Sequence, residues 1–548
     1  MNQLLKLLRN TGPPSCYSEA IDMVAASLGG LMRPALLVSM ALSTVAIPIS
    51  AQATVMSVKV DYTAPYGTFG GRDYVYVEAT MKGNFTRADA SAGTYSVPIV
   101  LIKADGPGNG FGVVDVPNTV YFVFYNFEMC RRPPELPAGM YTHLWCGNGE
   151  GGLRLASQIY PLAWQSTENY LFEQGYTYMA VQWDRAVTEK YGHGTFADGR
   201  KRLAYGKIEN GNDWPEILKD ASEFLRAPGG VFDGGGATTA PAAVSNVIGF
   251  GWSQTGMLLR RFLFEGYNRR PDQSLVFDGT ILSVAGANAY KKNDTAPYFQ
   301  PQDLGSFVTP GSPPPDGKVM ALNTESDAFG ASQLARPASL TDPNYRDYEL
   351  AGTAHIPTPI ADLSYWGASR QNPESTRPYF RAAFNNMYHW IKDNTDPPPS
   401  KFIDGTTDAT GNFSYTRDAD GNVTGGVRPP HMPSVTAAGI PAGAPLGSYA
   451  GIEPGGLRPT WDPAKCQPYC WAPNIFLVMG GTYARFSADE IARRYPDQAT
   501  FQDLRTRAAD QLLADRYILK EDRDRIAAGN GPVPEIPPPA SVGGRARP

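Results

Sequence analysis

Val247-Ile248-Gly249-Phe250-Gly251-Trp252-Ser253-Gln254-Thr255-Gly256 is the stretch whose reading decides the fold. It opens as an apolar β-run, ends in Gly-x-Ser-x-Thr-Gly, and continues into Met257, Leu258, Leu259, Phe262 and Leu263 at helical spacing. A serine at a sharp strand-to-helix turn sits in strained backbone, and small residues on either side keep strand and helix from colliding. Gly251 fills the first of those positions; Thr255, bulkier than the usual occupant, fills the second and is followed by Gly256. The helix start places the Gln254 N–H where an oxyanion would form. The alternative reading is an ordinary strand–helix turn.

A serine alone is a weak nucleophile and needs a base held by an acid. After an elbow of this kind the partners follow in the order acid, then histidine. Downstream, Val319 to Asn323 reads as a strand emptying into Thr324-Glu325-Ser326-Asp327. Either Glu325 or Asp327 could orient the histidine; Asp327 has the preferred offset from the strand, and the other acid would be a neighbouring hydrogen-bonding carboxylate. Of the five histidines, His143 and His193 precede the serine, His389 lies off the apolar stripe of its helix, and His431 sits in a proline-rich loop. His355 follows the strand Tyr345–Leu350 and is the expected base. A second oxyanion donor belongs on the loop after the third strand, which selects Thr119, although no His-Gly-Gly stands there.

Working outward, eight apolar strands are expected, around Tyr74–Glu78, Val97–Lys103, Phe111–Asn118, Tyr176–Gln182, Val244–Phe250, Gly279–Val284, Lys318–Asn323 and Tyr345–Leu350. Helices separate the later ones: one after Asp213 with Ile217, Leu218, Ala221, Phe224 and Leu225 on one face, then Gln254–Phe264; a further helix, Tyr379–Asp393, follows the last strand. Short apolar strands alternating with helices give an α/β protein, a mostly parallel eight-stranded sheet with helices on both faces, plus insertions. The glycine turn 106–110 leads into a strand and lacks a lysine, so it reads as a turn rather than a phosphate loop. Asp418-Ala419-Asp420-Gly421-Asn422 resembles half a calcium loop without its closing glutamate. No metal and no cofactor are expected.

The 548 residues carry a net charge of −5, which leaves no electrostatic footprint for nucleic acid or an anionic membrane. Ala35–Ser50 is an apolar run behind Arg33, too short for a stable membrane anchor and ending in Ala51-Gln52-Ala53. That pattern predicts a signal peptide cleaved after Ala53, with Met32 or Met23 as alternative starts, and an exported (periplasmic or secreted) protein. Export makes two local disulfides the expectation for Cys130 with Cys146 and Cys466 with Cys470. The expected organisation is a leader over 1–53, a catalytic domain over 54–395, a C-terminal appendage or cover over 396–528 without a place in the core layers, and a disordered tail over 529–548. Trp252, beside the serine, and Tyr469 and Trp471, in the C-terminal segment, are expected to line the substrate pocket.

Together these stretches resemble the exported bacterial alpha/beta hydrolase domain-containing proteins, over nearly the whole chain from Thr54. The resemblance is carried by Gly112-Val113-Val114-Asp115-Val116-Pro117-Asn118, by Gly249 to Gly256 with Leu259-Arg260-Arg261-Phe262-Leu263, and by Gly266-Tyr267-Asn268 and Phe277-Asp278-Gly279. It continues through Thr324-Glu325-Ser326-Asp327, Tyr348 to His355, Pro397-Pro398-Pro399-Ser400 and Asp404-Gly405; Val120 to Pro161 departs from the pattern. The resemblance implies a serine hydrolase of the alpha/beta-hydrolase fold with Ser253, His355 and an acid at Asp327 or Glu325. The expected activity is cleavage of a small-molecule or oligomeric carboxylic ester. An acyltransferase, an amidase or a non-catalytic binding protein on the same fold are the alternatives.

Overall fold

Parallel strands covered on both faces must be apolar at consecutive positions, and the run Phe111–Val116 is buried at every residue. A computed structural model describes residues 54–87, 89–117, 167, 169–185, 207–286, 289–291, 300–302, 316–328, 342–355, 372–407, 413–451 and 480–529. Ten strands form one sheet: β1 (Thr54–Phe69), β2 (Arg72–Thr86), β3 (Ala92–Ala104), β4 (Phe111–Val116), β5 (Thr177–Val181), β6 (Phe232–Asp233), β7 (Asn246–Trp252), β8 (Gly279–Ser283), β9 (Lys318–Thr324) and β10 (Tyr345–Leu350). Their order is β10-β9-β8-β7-β4-β5-β3-β2-β1-β6. From β10 to β5 every pair is parallel; β5, β3, β2 and β1 then pair antiparallel.

All eight expected strands are present. Two more were not expected. In β1 only Val55 and Val58 are buried, so a strand on the margin of the sheet carries little apolar signal. β6 is two residues long and pairs only with Val58 and Lys59.

Alternate residues of the central strands face two different layers. Ile248, Phe250 and Trp252 of β7 pack with Phe380, Phe384 and Met387 of the helix Arg377–Asp393. Val247 of β7 and Leu282 of β8 pack on the other side, with Ile217 and Leu218 of Trp214–Arg226 and Leu258, Leu259 and Phe262 of Gln254–Phe264. The three helices are α1 (Trp214–Arg226), α2 (Gln254–Phe264) and α3 (Arg377–Asp393).

The expectation that residues 396–528 lie outside the core layers is corrected. Lys401 bridges to Tyr348 and Val427 to Leu350, which extends the sheet beyond β10. Ala509, Leu512, Tyr517, Ile518 and Ile526 join the same apolar cluster as α3, and Tyr517 meets Tyr348 edge-on at 5.5 Å. The leader, the four cysteines, Thr119, Tyr469, Trp471 and residues 530–548 lie outside the described residues. Among the described residues no helix is long and apolar enough to cross a membrane.

One buried acid belongs to the scaffold. Asp220 of α1 accepts a hydrogen bond from the Tyr95 hydroxyl, and Gly83 makes room for the pair, since a Cβ there would lie 2.6 Å from Asp220 Oδ2. Burial pushes the Asp220 carboxyl up to about 7, against the pull of the Tyr95 hydrogen bond. A folded-state value above the unfolded one, about 3.9, means the fold holds a proton that the unfolded chain has released. This contribution to stability is therefore full below about pH 4 and is lost as pH rises to about 7. Asp220→Asn removes the loss, so its melting temperature relative to wild type should rise by roughly 2 °C more at pH 8 than at pH 4. Thermal melts at the two pH values check this, and an equal effect at both would refute it.

Candidate active site

The carboxyl ends of β7, β9 and β10 emerge at one edge of the sheet because these strands run parallel. After β4 the chain turns toward β5, and after β7 it turns the other way toward β8, so a crevice opens between β4 and β7. Ser253 stands at that point.

Its backbone is forced. Ser253 has φ 55° and ψ −114°, a conformation that costs a non-glycine residue on the order of 1–3 kcal/mol. The turn is held from several sides. The Ser253 N–H donates to Ser283 O of β8 at 2.8 Å. The Thr255 hydroxyl accepts from Trp252 N at 3.0 Å and donates to Trp252 O at 3.2 Å. Thr255 thus makes a clamp that glycine could not, which accounts for the larger residue at this position. Gly251 and Gly256 supply the space: a Cβ on Gly251 would lie 2.4 Å from Thr255 O, and one on Gly256 2.8 Å from Ala285 Cβ. Gln254, buried, is the first residue of α2, so its N–H belongs to the helix start that has no intrahelical acceptor.

Of the two acids, it is Asp327 that meets the histidine. His355 Nδ1 lies 2.6 Å from Asp327 Oδ1, and both side chains are almost fully buried. The other carboxylate oxygen, Oδ2, accepts from the Thr324 N–H and hydroxyl, which fixes the plane of the carboxylate. A carboxylate that accepts a hydrogen bond from Nδ1–H leaves Nε2 with its lone pair, and His355 Nε2 is buried with no hydrogen-bond partner among the described residues. The imidazole lies beside the elbow, with the Trp252 ring edge-on at 6.3 Å. Trp252 itself is buried against Phe380 of α3, at 5.3 Å.

Glu325 turns away from the histidine and pairs with Arg417 at 2.6 Å. His389 is half exposed and pairs with Asp393 on its own helix. His431 forms a second buried histidine–acid pair, 3.0 Å from Glu374, with its ring next to Tyr449 rather than beside the elbow. The oxygens of the calcium-like loop are engaged inside the protein: Asp418 Oδ1 accepts from Asp420 N and Asn422 N, and Asp420 pairs with Arg494. Sequence reasoning gave Ser326 no role. Its hydroxyl accepts the His355 N–H at 3.0 Å and donates to Gly451 O at 2.7 Å. Its place between two candidate acids was the only available signal.

A family model described as an alpha/beta hydrolase domain matches residues 154–528. Among solved structures, a CE15 glucuronoyl esterase from Teredinibacter turnerae is 12% identical, with 51% of this chain and 66% of that one covered and a TM-score of 0.25. The rice cell wall degrading esterase LipA from Xanthomonas oryzae is 7% identical, over 54% of this chain and 90% of that one, with a TM-score of 0.28. An esterase from Pyrococcus furiosus is 9% identical, over 46% and 76%, with a TM-score of 0.23. Comparison with curated proteins gives no sequence match.

The elbow geometry predicts a steep cost for one methyl group. Gly251→Ala should destabilise the protein by about 1–3 kcal/mol, because the atoms it would strike are backbone and cannot rotate away. Denaturant unfolding measures the loss; a variant as stable as wild type would contradict the packing described.

Proposed function

We propose, for a chain that belongs to the alpha/beta hydrolase domain family, that Ser253, His355 and Asp327 cleave a carboxylic ester through an acyl-enzyme. The observation that carries the reading is the 2.6 Å contact between Asp327 and His355, made beside a serine held in strained backbone.

Ser253 Oγ attacks the acyl carbonyl while His355 Nε2 takes its proton. Asp327 accepts a hydrogen bond from Nδ1–H, keeps the imidazole in the tautomer that can act as base, and stabilises the imidazolium once it forms. The Gln254 N–H donates to the developing oxyanion, a contribution of about 3 kcal/mol to the transition state, with Thr119 proposed as the second donor. His355 then gives its proton to the leaving alcohol, and water repeats the sequence to release the acid. Burial of the Asp327–His355 contact supports the assignment, because a hydrogen bond to a charged group acts more strongly where water is excluded. Trp252 packs against the imidazole and α3, so its part in this reading is to support His355.

Two measurements test the proposal. A fluorophosphonate probe should label the protein at Ser253, and Ser253→Ala should abolish labelling; persistent labelling in that variant would place the nucleophile elsewhere. With any hydrolysed ester, Asp327→Asn should lower kcat by about 10⁴ through loss of the working tautomer. Glu325→Gln should cost far less, and the reverse ranking would overturn the assignment of the acid.

A further inference from the structure

Glu325 is fully buried and pairs with Arg417, and it stands at the centre of the loops that hold His355. Its Oε1 accepts from Arg417 Nη2 at 2.6 Å, and its Oε2 accepts the Gly352 N–H at 3.2 Å. The Gly451 N–H also donates to this carboxylate. Its backbone carbonyl accepts from the Tyr415 hydroxyl. One side chain therefore joins three segments: the turn that carries Asp327, the loop that carries His355, and the C-terminal hairpin around residue 417. Arg417 is anchored in turn, with Nη1 donating to Gly421 O at 2.9 Å. On the far side of the loop, Asn372 Nδ2 donates to Gly352 O at 2.8 Å and to Ala450 O at 3.1 Å.

We propose that Glu325, paired with Arg417, is a positioning residue that locks the Gly352–His355 loop against the Thr324–Asp327 turn, so that the C-terminal segment takes part in holding His355 in place. The inference rests on the proposed role of His355 as the base. A buried carboxylate needs a compensating partner; burial raises the Glu325 carboxyl and Arg417 lowers it. Glu325, Glu349, Asp327 and Arg417 are gathered around the Tyr415 hydroxyl, and Asp327 of that cluster contacts the imidazole, so the Glu325–Arg417 pair balances charge one carboxylate away from His355. Glu325→Gln keeps the shape and the acceptor for Gly352 but leaves the Arg417 cation unbalanced, which disfavours a second cation on His355.

The test is the rate of fluorophosphonate labelling of Ser253 as a function of pH, which needs no knowledge of the natural ester. In Glu325→Gln the rate should fall roughly tenfold through loss of alignment, and the acid-side midpoint should move down by roughly half a pH unit. Adding Arg417→Met to Glu325→Gln should return the midpoint to its wild-type position. Arg417→Lys keeps the charge but loses the planar fork, so labelling should slow with the midpoint unmoved. A wild-type profile in Glu325→Gln, or a slower rate with an unmoved midpoint, would overturn the inference while leaving the proposed function standing. Where Glu325→Gln does not fold, Arg417→Lys decides, and an unchanged labelling rate there would overturn the inference. A wild-type chain that never labels at Ser253 would overturn the proposed function, and the inference with it.

Discussion

Three consecutive residues bond across to one loop, and the candidate site depends on that seam. Glu325 accepts the Gly352 N–H, Ser326 accepts the His355 N–H, and Asp327 meets the His355 ring. Each contact is a hydrogen bond in a buried setting, where leaving a polar group unpaired costs more than the bond itself contributes. The turn and the loop therefore have one arrangement that satisfies all three, and the imidazole is fixed by its backbone as well as by its acid.

The seam exists because of strand register. β9 and β10 are parallel neighbours, and Thr324 pairs with Leu350 at their carboxyl ends. The residues just beyond those ends are brought side by side without any long connection. The same parallel run carries β7, so the elbow at Ser253 opens on the same edge. The elbow is strained, and the surrounding contacts sustain the strain: Ser283 from β8, the Thr255 clamp, and the close approach allowed by Gly251 and Gly256. The Ser253 backbone is thereby fixed in one conformation before any ligand arrives.

The residues after α3 complete the site from behind. Val427 and Lys401 extend the sheet beyond β10, and Gly451 packs so tightly on the loop and the turn that a Cβ there would lie 2.3 Å from Thr353 O and 2.6 Å from Ser326 N. Arg417 and Tyr415 reach Glu325 from the same side. Beneath them the final helices bury Leu512, Tyr517 and Ile526 in the layer that contains α3. The C-terminal segment is thus continuous with the core and in direct contact with the loops beside the crevice.

The sequence by itself determined whatever depends on local pattern. Apolar runs at strand length marked the central strands, because β4, β7 and β8 are buried on both faces and are mostly apolar along their length. The spacing of Gly251, Ser253 and Gly256 marked the elbow, because a tight strand–helix turn has steric requirements that few residues meet. Order along the chain removed His143 and His193, and a place just past the strand Tyr345–Leu350 ranked His355 above His389 and His431. What the sequence could not decide was any pairing between distant residues. Glu325 and Asp327 stand two apart with the same chemistry, and only the placement of Arg417, 92 positions downstream of Glu325, turns one toward an ion pair and leaves the other for the imidazole. β1 was hidden because a marginal strand needs few apolar residues, and the core role of the C-terminal helices because their apolar faces show no destination until α3 is folded beside them. Periodicity records what a segment must bury; only the tertiary structure records against which partner it is buried.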